Sequence, residues 1–178
     1  MILTDTQILD EMKRGTISIT PFSRKHLGSN SYDVHLGRWL AVYVDEVLDC
    51  KKHNVIRTFP IPRTGLILVP STLYLGVTKE YTETHRHVPF LEGKSSIGRL
   101  GIDIHATAGK GDIGFCNTWT LEISVRHPVR IYAGMPIGQL IYFEVSGNVG
   151  TPYFKKRSAK YTRRTTKPVE SMMWKNFR

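Results

Sequence analysis

Hydrophobic and polar residues alternate in short segments of this chain, which is the period of β-strands rather than of helices. In residues 119–125 the alternation places Trp119, Leu121, Ile123 and Val125 on one face and Glu122, flanked by small polar residues, on the other. Comparable short segments, each bounded by Gly, Pro, Asn or Ser, are predicted strands: 16–20, 32–36, 39–44, 66–69, 73–78, 87–91, 102–107, 118–125, 129–132 and 138–145. Many short strands separated by turns predict a mainly β fold of the sandwich or barrel type.

Helical signals are confined to two places. Thr4 and Gln7 match a capping box, apolar residues follow at helical spacing from Ile8, and Gly15 supplies a stop, so residues 4–14 are predicted to form one short amphipathic helix. A shorter helix or turn is expected over 96–100. The chain has no internal repeat and no low-complexity linker, and 178 residues with 40% hydrophobic content suit one domain with a proper core.

Charge changes the picture at the C-terminus. Residues 155–178 hold nine Lys or Arg and one acidic residue, so they carry eight of the ten net positive charges. A segment with this charge is expected to bind polyanions, either as a nucleic-acid-binding tail or as a flap that closes over a bound triphosphate. Interleaved aromatic residues, and the lack of an RNA-recognition, zinc-finger or helix-turn-helix pattern, favour the flap. We therefore predict a β domain over 1–154 and a closing basic segment over 155–178.

Cysteine content and hydropathy indicate the cellular compartment in which the protein is expected. Cys50 and Cys116 are too few for a disulfide framework, and neither a signal peptide nor a long apolar span is visible, so a cytoplasmic protein without a membrane anchor is expected. The His-x-Glu and Pro-Cys-x-x-Cys signature of zinc deaminases is also missing, which disfavours zinc chemistry.

Polar chemistry is concentrated in residues 92–123. Glycines on both sides of a Lys-Ser-Ser run over 93–99 suit anionic oxygen, although an ordinary surface turn is the alternative. Asp112 lies between glycines and can accept from a sugar hydroxyl beside Phe115, or close an Asx turn. Glu122 is a proton shuttle if its strand face lines a cleft, and a solvated residue if it faces water. His105 is expected to be structural.

Several motifs in order resemble the dCTP deaminase family of the dUTPase superfamily: Glu-Gly-Lys-Ser-Ser-Ile-Gly-Arg-Leu-Gly (92–101), His-Ala-Thr-Ala-Gly (105–109), Gly-Asp-Ile-Gly-Phe (111–115) and Thr-Leu-Glu-Ile (120–123). The similarity extends to Asn-Ser-Tyr-Asp-Val-His-Leu-Gly (30–37) and Ala-Gly-Met-Pro-Ile-Gly-Gln (133–139), so it covers nearly the whole chain. It implies a dUTPase-like distorted β-barrel or jelly-roll with one short N-terminal helix and few helical turns.

The resemblance also implies roles for individual residues. Glu122 matches the group that activates a water for attack on the cytosine ring, and Ser95 and Arg99 match residues that position this water and the carboxylate. The matched nucleotide-binding positions are Lys94, Ser96, Ala106, Thr107, Ala108, Lys110, Asp112, Phe115, Lys160, Tyr161 and Arg164. Relatives are homotrimers with sites shared between subunits, they bind the nucleotide as its magnesium complex without zinc, and dTTP is a candidate inhibitor.

Departures from the family pattern leave the product open. Lys94 and Lys110 stand where some relatives carry Arg, and Arg164 falls where relatives often have Gln. The Thr107-Ala-Gly109 run resembles bifunctional members, which convert dCTP through dUTP to dUMP and pyrophosphate, and Gly109 leaves room for a second water. A deaminase that stops at dUTP, a dUTP diphosphatase only, a non-catalytic nucleotide sensor and a nucleic-acid-binding module are the alternatives.

Overall fold

The computed structural model describes residues 1–177, which form two α-helices, thirteen β-strands and three 3-10 helices. The 3-10 helices are Arg24–His26, Tyr153–Lys155 and Met173–Phe177. The remaining elements, in chain order, are α1 (Asp5–Lys13), β1 (Ile17–Thr20), β2 (Tyr32–His35), β3 (Trp39–Tyr43), β4 (Ile56–Pro60), β5 (Leu66–Leu68), β6 (Tyr74–Val77), β7 (Tyr81–Thr84), β8 (Val88–Gly93), α2 (Ser95–Gly98), β9 (Ile102–Asp103), β10 (Cys116–Asn117), β11 (Thr120–Val125), β12 (Val129–Ile131) and β13 (Pro136–Phe143).

Helix α1 forms where its capping signal predicts. The Thr4 N–H donates to Gln7 Oε1 over 3.0 Å while the Thr4 hydroxyl accepts from the Gln7 N–H, so the capping box is complete. Its apolar face buries Ile8 completely. The predicted helix over 4–14 is confirmed to within one residue at each end. Within residues 1–177, no helix is long and apolar enough to cross a bilayer.

The strands pair antiparallel in several small sheets around one core. The largest sheet has the order β4-β3-β6-β11-β9, and the others are β2-β13-β8, β1-β7-β10 and β12-β5. The core is filled by buried aliphatic residues together with four aromatic residues, Tyr32, Tyr74, Trp119 and Tyr142. The prediction of a mainly β fold is confirmed, because short strands that each bury one face must share a common interior.

Three of these strands, β4, β7 and β10, were not predicted from the alternation of hydrophobic and polar residues. Strand β7 lies between β1 and β10, yet the residues that it turns inward are Thr82 and Thr84 rather than aliphatic residues. Their hydroxyls are satisfied inside the protein: Trp119 Nε1 donates to Thr82 Oγ1 over 2.9 Å, and Thr84 donates to the His87 carbonyl over 2.7 Å. Strands β4 and β10 were likewise missed, and β10 contains only two residues.

The predicted strand over 102–107 is wrong beyond its start. Strand β9 ends at Asp103, although Ile104 is still buried and its carbonyl accepts from the Glu122 N–H over 2.9 Å. At Ala106 the backbone N–H donates instead to the Glu122 carboxylate. The segment leaves the ladder because a side chain of the neighbouring strand takes the place of a backbone partner.

Candidate active site

Strand β11 carries the carboxylate on which the site is built. Leu121, Ile123 and Val125 face the core, whereas Thr120, Glu122 and Ser124 form a half-buried polar face. Glu122 lies opposite Leu75 of β6, and the far end of β11 pairs with β9. Because strands flank it on both sides, the backbone of Glu122 is held rigidly, and the alternation predicted from sequence is confirmed.

The Glu122 carboxylate is anchored through one oxygen. Its Oε2 accepts from the Ala106 N–H over 2.9 Å, whereas Oε1 has no hydrogen bond to any of residues 1–177. This contact brings the exposed residues Ala106, Thr107 and Ala108 beside the carboxylate. The arrangement leaves one oriented oxygen with free lone pairs, which is what a general base needs in order to take a proton from a water.

The other two predicted catalytic residues lie at α2. Lys94 precedes this helix, Ser95 is its first residue and Arg99 follows its last, and Ser95, Ser96 and Arg99 are exposed. Within residues 1–177 the side chains of Ser95 and Arg99 make no hydrogen bond or ion pair with Glu122. Lys94 forms an ion pair with the half-buried Asp33 on β2. Ser95, Ser96 and Arg99, here called the α2 group, are thus exposed to solvent. Within the described residues this group has no contact of these kinds with the Glu122 carboxylate.

Asp112 and Phe115 lie in the loop before β10. Asp112 accepts from Lys110 Nζ over 2.9 Å and from Lys156 Nζ over 3.1 Å, and the hydrogen bond from Lys110 is the main reason why the pKa of the Asp112 carboxyl lies below its ordinary value. The Phe115 ring packs 4.9 Å from Trp119 and 5.9 Å from Tyr153. A sugar hydroxyl that reaches Asp112 therefore meets a carboxylate already held by two cations.

The basic segment packs along the polar side of β10 and β11. Asn117, which is 2% exposed, donates through Nδ2 to the carbonyls of Tyr161 and Arg163 over 3.2 and 2.9 Å, and its Oδ1 accepts from the Thr165 N–H over 3.3 Å. Thr118 donates to the Thr165 carbonyl, and Thr120 accepts from the Val169 N–H. Three of the five positions that precede Glu122 thus bind the C-terminal segment.

Tyr161 lies within this packed segment. Its hydroxyl accepts from the Met172 N–H over 3.1 Å, and the Tyr153 hydroxyl accepts from the backbone N–H groups of Lys160 and Tyr161. Burial is the main cause that raises the pKa of the Tyr161 hydroxyl, and the negative charge of Glu122 contributes to it. Tyr161 is thus held through both its backbone and its hydroxyl.

Two further residues singled out in the sequence have partners away from the carboxylate. The Arg164 guanidinium lies 4.2 Å from the centroid of the Tyr81 ring, a cation–π contact. His105 Nε2 lies 3.6 Å from Glu92 Oε2, and its buried Nδ1 has no hydrogen-bond partner within the described residues. Sequence reasoning missed Asn117 and Lys156, since neither an amide that points into the protein nor a tail lysine has a local signature.

A solved structure identifies the fold class. The chain matches the crystal structure of 2′-deoxycytidine 5′-triphosphate deaminase from Agrobacterium tumefaciens with a TM-score of 0.63 and 19% identity, over 79% of this chain and 47% of that one. The chain thus spans about half of the length of that protein. The match and the small antiparallel sheets define a protein of the dUTPase-like β class.

Sequence comparison narrows this class to one family. The family model described as dCTP deaminase-like matches residues 2–145. Proteins named "dCTP deaminase, dUMP-forming" are 47% identical in Clostridium acetobutylicum, over 99% of both chains, and 44% identical in Cytophaga hutchinsonii, also over 99% of both. The chain belongs to the dCTP deaminase-like family.

Proposed function

We propose that this protein converts dCTP to dUMP, by deamination to dUTP and ammonia followed by hydrolysis to dUMP and pyrophosphate. The observation that carries the first step is the Glu122 carboxylate, which is anchored through Oε2 to the Ala106 N–H and has its other oxygen free. The second step is supported by the relatives that are named dUMP-forming and are similar over their whole length.

In the deamination, water adds to C4 of the cytosine ring while Glu122 takes its proton. Glu122 delivers this proton to N3, then takes the proton of the new C4 hydroxyl and passes it to the amine, which departs as ammonia while the C4 carbonyl forms. The exposed backbone of residues 106–108 reads the edge of the base. The Ala106 N–H also holds one oxygen of the Glu122 carboxylate. The same loop therefore positions both the cytosine ring and the carboxylate that transfers the protons.

The triphosphate meets the cations of the site. Lys94, Lys110 and Lys160 are assigned to its oxygens together with Ser96, and the nucleotide enters as its magnesium complex, with the metal held by the phosphates. Phe115 packs on the deoxyribose, and the segment 155–178 closes over the nucleotide with Tyr161 in it. For Arg164 to contact the cytosine ring, its guanidinium has to break its cation–π contact with Tyr81. The free thiols of Cys50 and Cys116 fit a reducing compartment, so we place the reaction in the cytoplasm.

The proposal is tested by incubating the purified protein with dCTP and magnesium and resolving dUTP, dUMP and pyrophosphate over time. We expect dUMP and pyrophosphate to appear together, with little free dUTP. Accumulation of dUTP would restrict the protein to deamination, and hydrolysis of dUTP without turnover of dCTP would leave only a diphosphatase. Binding of dCTP without turnover would overturn the catalytic proposal.

Asp112 is expected to act in nucleotide binding rather than in chemistry. Asp112→Asn removes a charged acceptor from the 3′-hydroxyl, so we expect KM for dCTP to rise about tenfold, with a smaller change in kcat. Steady-state kinetics provide the measurement. Asp10→Asn is the matched control, because Asp10 is likewise an aspartate 2.9 Å from a lysine, in α1. An unchanged KM in Asp112→Asn would remove this residue from the site.

We further propose that the protein is a homotrimer whose sites combine Glu122 of one subunit with Ser95 and Arg99 of another. The exposed α2 group, which is not joined to Glu122 within the described chain, supports this arrangement. Glu122→Gln and Arg99→Ala should each be inactive alone. Refolded together in equal amounts, they should recover activity at about a quarter of the sites, because random assembly pairs the two intact halves that often. No recovery in verified mixed trimers would place both residues in one subunit's site.

A further inference from the structure

Glu83, His85 and Cys116 form a cluster on the sheet β1-β7-β10. Glu83 and His85 are two residues apart on an extended segment, so they lie on the same face, and Cys116 of β10 is the direct cross-strand partner of Glu83. One donor atom from each side chain lies within 4.8 Å of the other two. The cluster belongs to a different sheet from the one that carries Glu122.

The three donors are chemically selective. A thiolate and an imidazole suit zinc and similar first-row metals, whereas magnesium and calcium prefer oxygen donors alone. Three protein ligands of the Cys, His and Glu types leave one position of a tetrahedral ion open to water. The set therefore selects against the magnesium ion that accompanies the nucleotide.

Neighbouring groups hold the donors in place. The Tyr81 hydroxyl donates to Glu83 Oε1 over 2.8 Å and so leaves Oε2 available; Glu83 Oε2 and His85 Nε2, which are both potential ligands, lie 3.1 Å apart. The ring of Phe154 packs edge-on to the His85 ring at 6.3 Å. Such contacts orient metal ligands in known sites, because they restrict the rotation of the imidazole and the carboxylate.

A role for Cys116 as a free nucleophile fits the surroundings less well. Burial raises the pKa of the Cys116 thiol and the nearby Glu83 raises it further, whereas reactive cysteines lie in surroundings that lower it. A bound metal ion reverses this shift, because it displaces the thiol proton to bulk water.

We propose that Glu83, His85 and Cys116 bind a thiophilic divalent cation of the zinc class, at a site distinct from the catalytic carboxylate. The ion ties β7 to the strand that follows Phe115. It also lies beside Phe154, where Gly114 allows the chain to pack closely: Gly114 has φ of +89°, and a Cβ there would lie 2.8 Å from the Tyr153 nitrogen. Binding at this site stabilises the start of the C-terminal segment.

The test titrates the full-length protein, freed of metal with a chelator and kept reduced with a non-thiol reductant. Cobalt(II) is the probe, because bonding to a thiolate gives a charge-transfer absorption in the near ultraviolet. We expect one equivalent of cobalt to give this absorption and zinc to displace it. We also expect zinc in excess, but not magnesium, to raise the thermal midpoint by about 5 °C.

Three variants locate the site. Cys116→Ser should abolish the thiolate absorption, and His85→Ala should weaken zinc binding at least about tenfold without loss of fold, since His85 is exposed. Cys50→Ser, which alters the other free cysteine, should bind as the unaltered protein does. Absorption that persists in Cys116→Ser, or equal zinc affinity with and without His85, would overturn the proposal. These readouts are independent of dCTP turnover.

Discussion

Replacing Glu122 with glutamine is expected to reduce dCTP deamination by at least about 10²-fold, the usual contribution of a positioned general base. Glutamine retains an oxygen that can accept from the Ala106 N–H, so the 105–109 loop and the β11 ladder should remain in place. Only the ability to take and return protons is lost. Single-turnover deamination at saturating dCTP, with circular dichroism and oligomer size as checks, provides the measurement.

The control for this result is the same substitution at an exposed carboxylate. Glu144 follows β13, and its Oε2 lies 3.8 Å from the N-terminal amine, so Glu144→Gln should deaminate dCTP at the unaltered rate. If folded Glu122→Gln also kept the full rate, the proton shuttle would have to be another group, and the mechanism given above would be wrong.

The second large effect is expected at Asn117. Asn117→Ala removes four hydrogen bonds: two to the carbonyls of Tyr161 and Arg163, and two from the N–H groups of Thr118 and Thr165. Because the backbone groups left behind are buried or partly buried, we expect the free energy of unfolding to fall by about 3 kcal/mol. The basic segment should detach from β10 and β11, and KM for dCTP should rise.

Limited trypsin digestion separates detachment of the segment from global unfolding. Residues 155–178 hold nine Lys or Arg, so cleavage there should be much faster in Asn117→Ala than in the unaltered protein, while the β domain survives. Asn148→Ala, at an exposed asparagine after β13, is the matched control and should leave both stability and cleavage unchanged. Equal cleavage of the segment in Asn117→Ala would show that other contacts hold it.

Local pattern predicted the fold class and the face that carries Glu122. In β11 every second residue is aliphatic, and the same residues are buried, because alternate residues of a strand lie on opposite faces of the sheet. The capping box likewise predicted α1 closely. Strand β7 escaped prediction because its inward residues are threonines rather than aliphatic residues, and the partner of the Thr82 hydroxyl, Trp119 Nε1, is far away in the chain.

The motifs allowed the roles of the site residues to be proposed, but not their partners. Nothing near Lys94 in the sequence indicates that it pairs with Asp33, which is far away in the chain. The same holds for Lys156 and Asp112. Ion pairs of this kind depend on which loops the sheets bring together, so they cannot be found from spacing.

By itself the sequence determined a mainly β chain, a short N-terminal helix, a basic C-terminus and a strand-borne Glu122, because each depends on residues close together in the chain. Tertiary structure alone decided that Oε2 of this carboxylate is held by the Ala106 N–H and that Asn117 binds the basic segment. It also decided that Cys116 meets Glu83 and His85. These contacts join residues on different strands and loops, and only the packing of the sheets sets the distances between them.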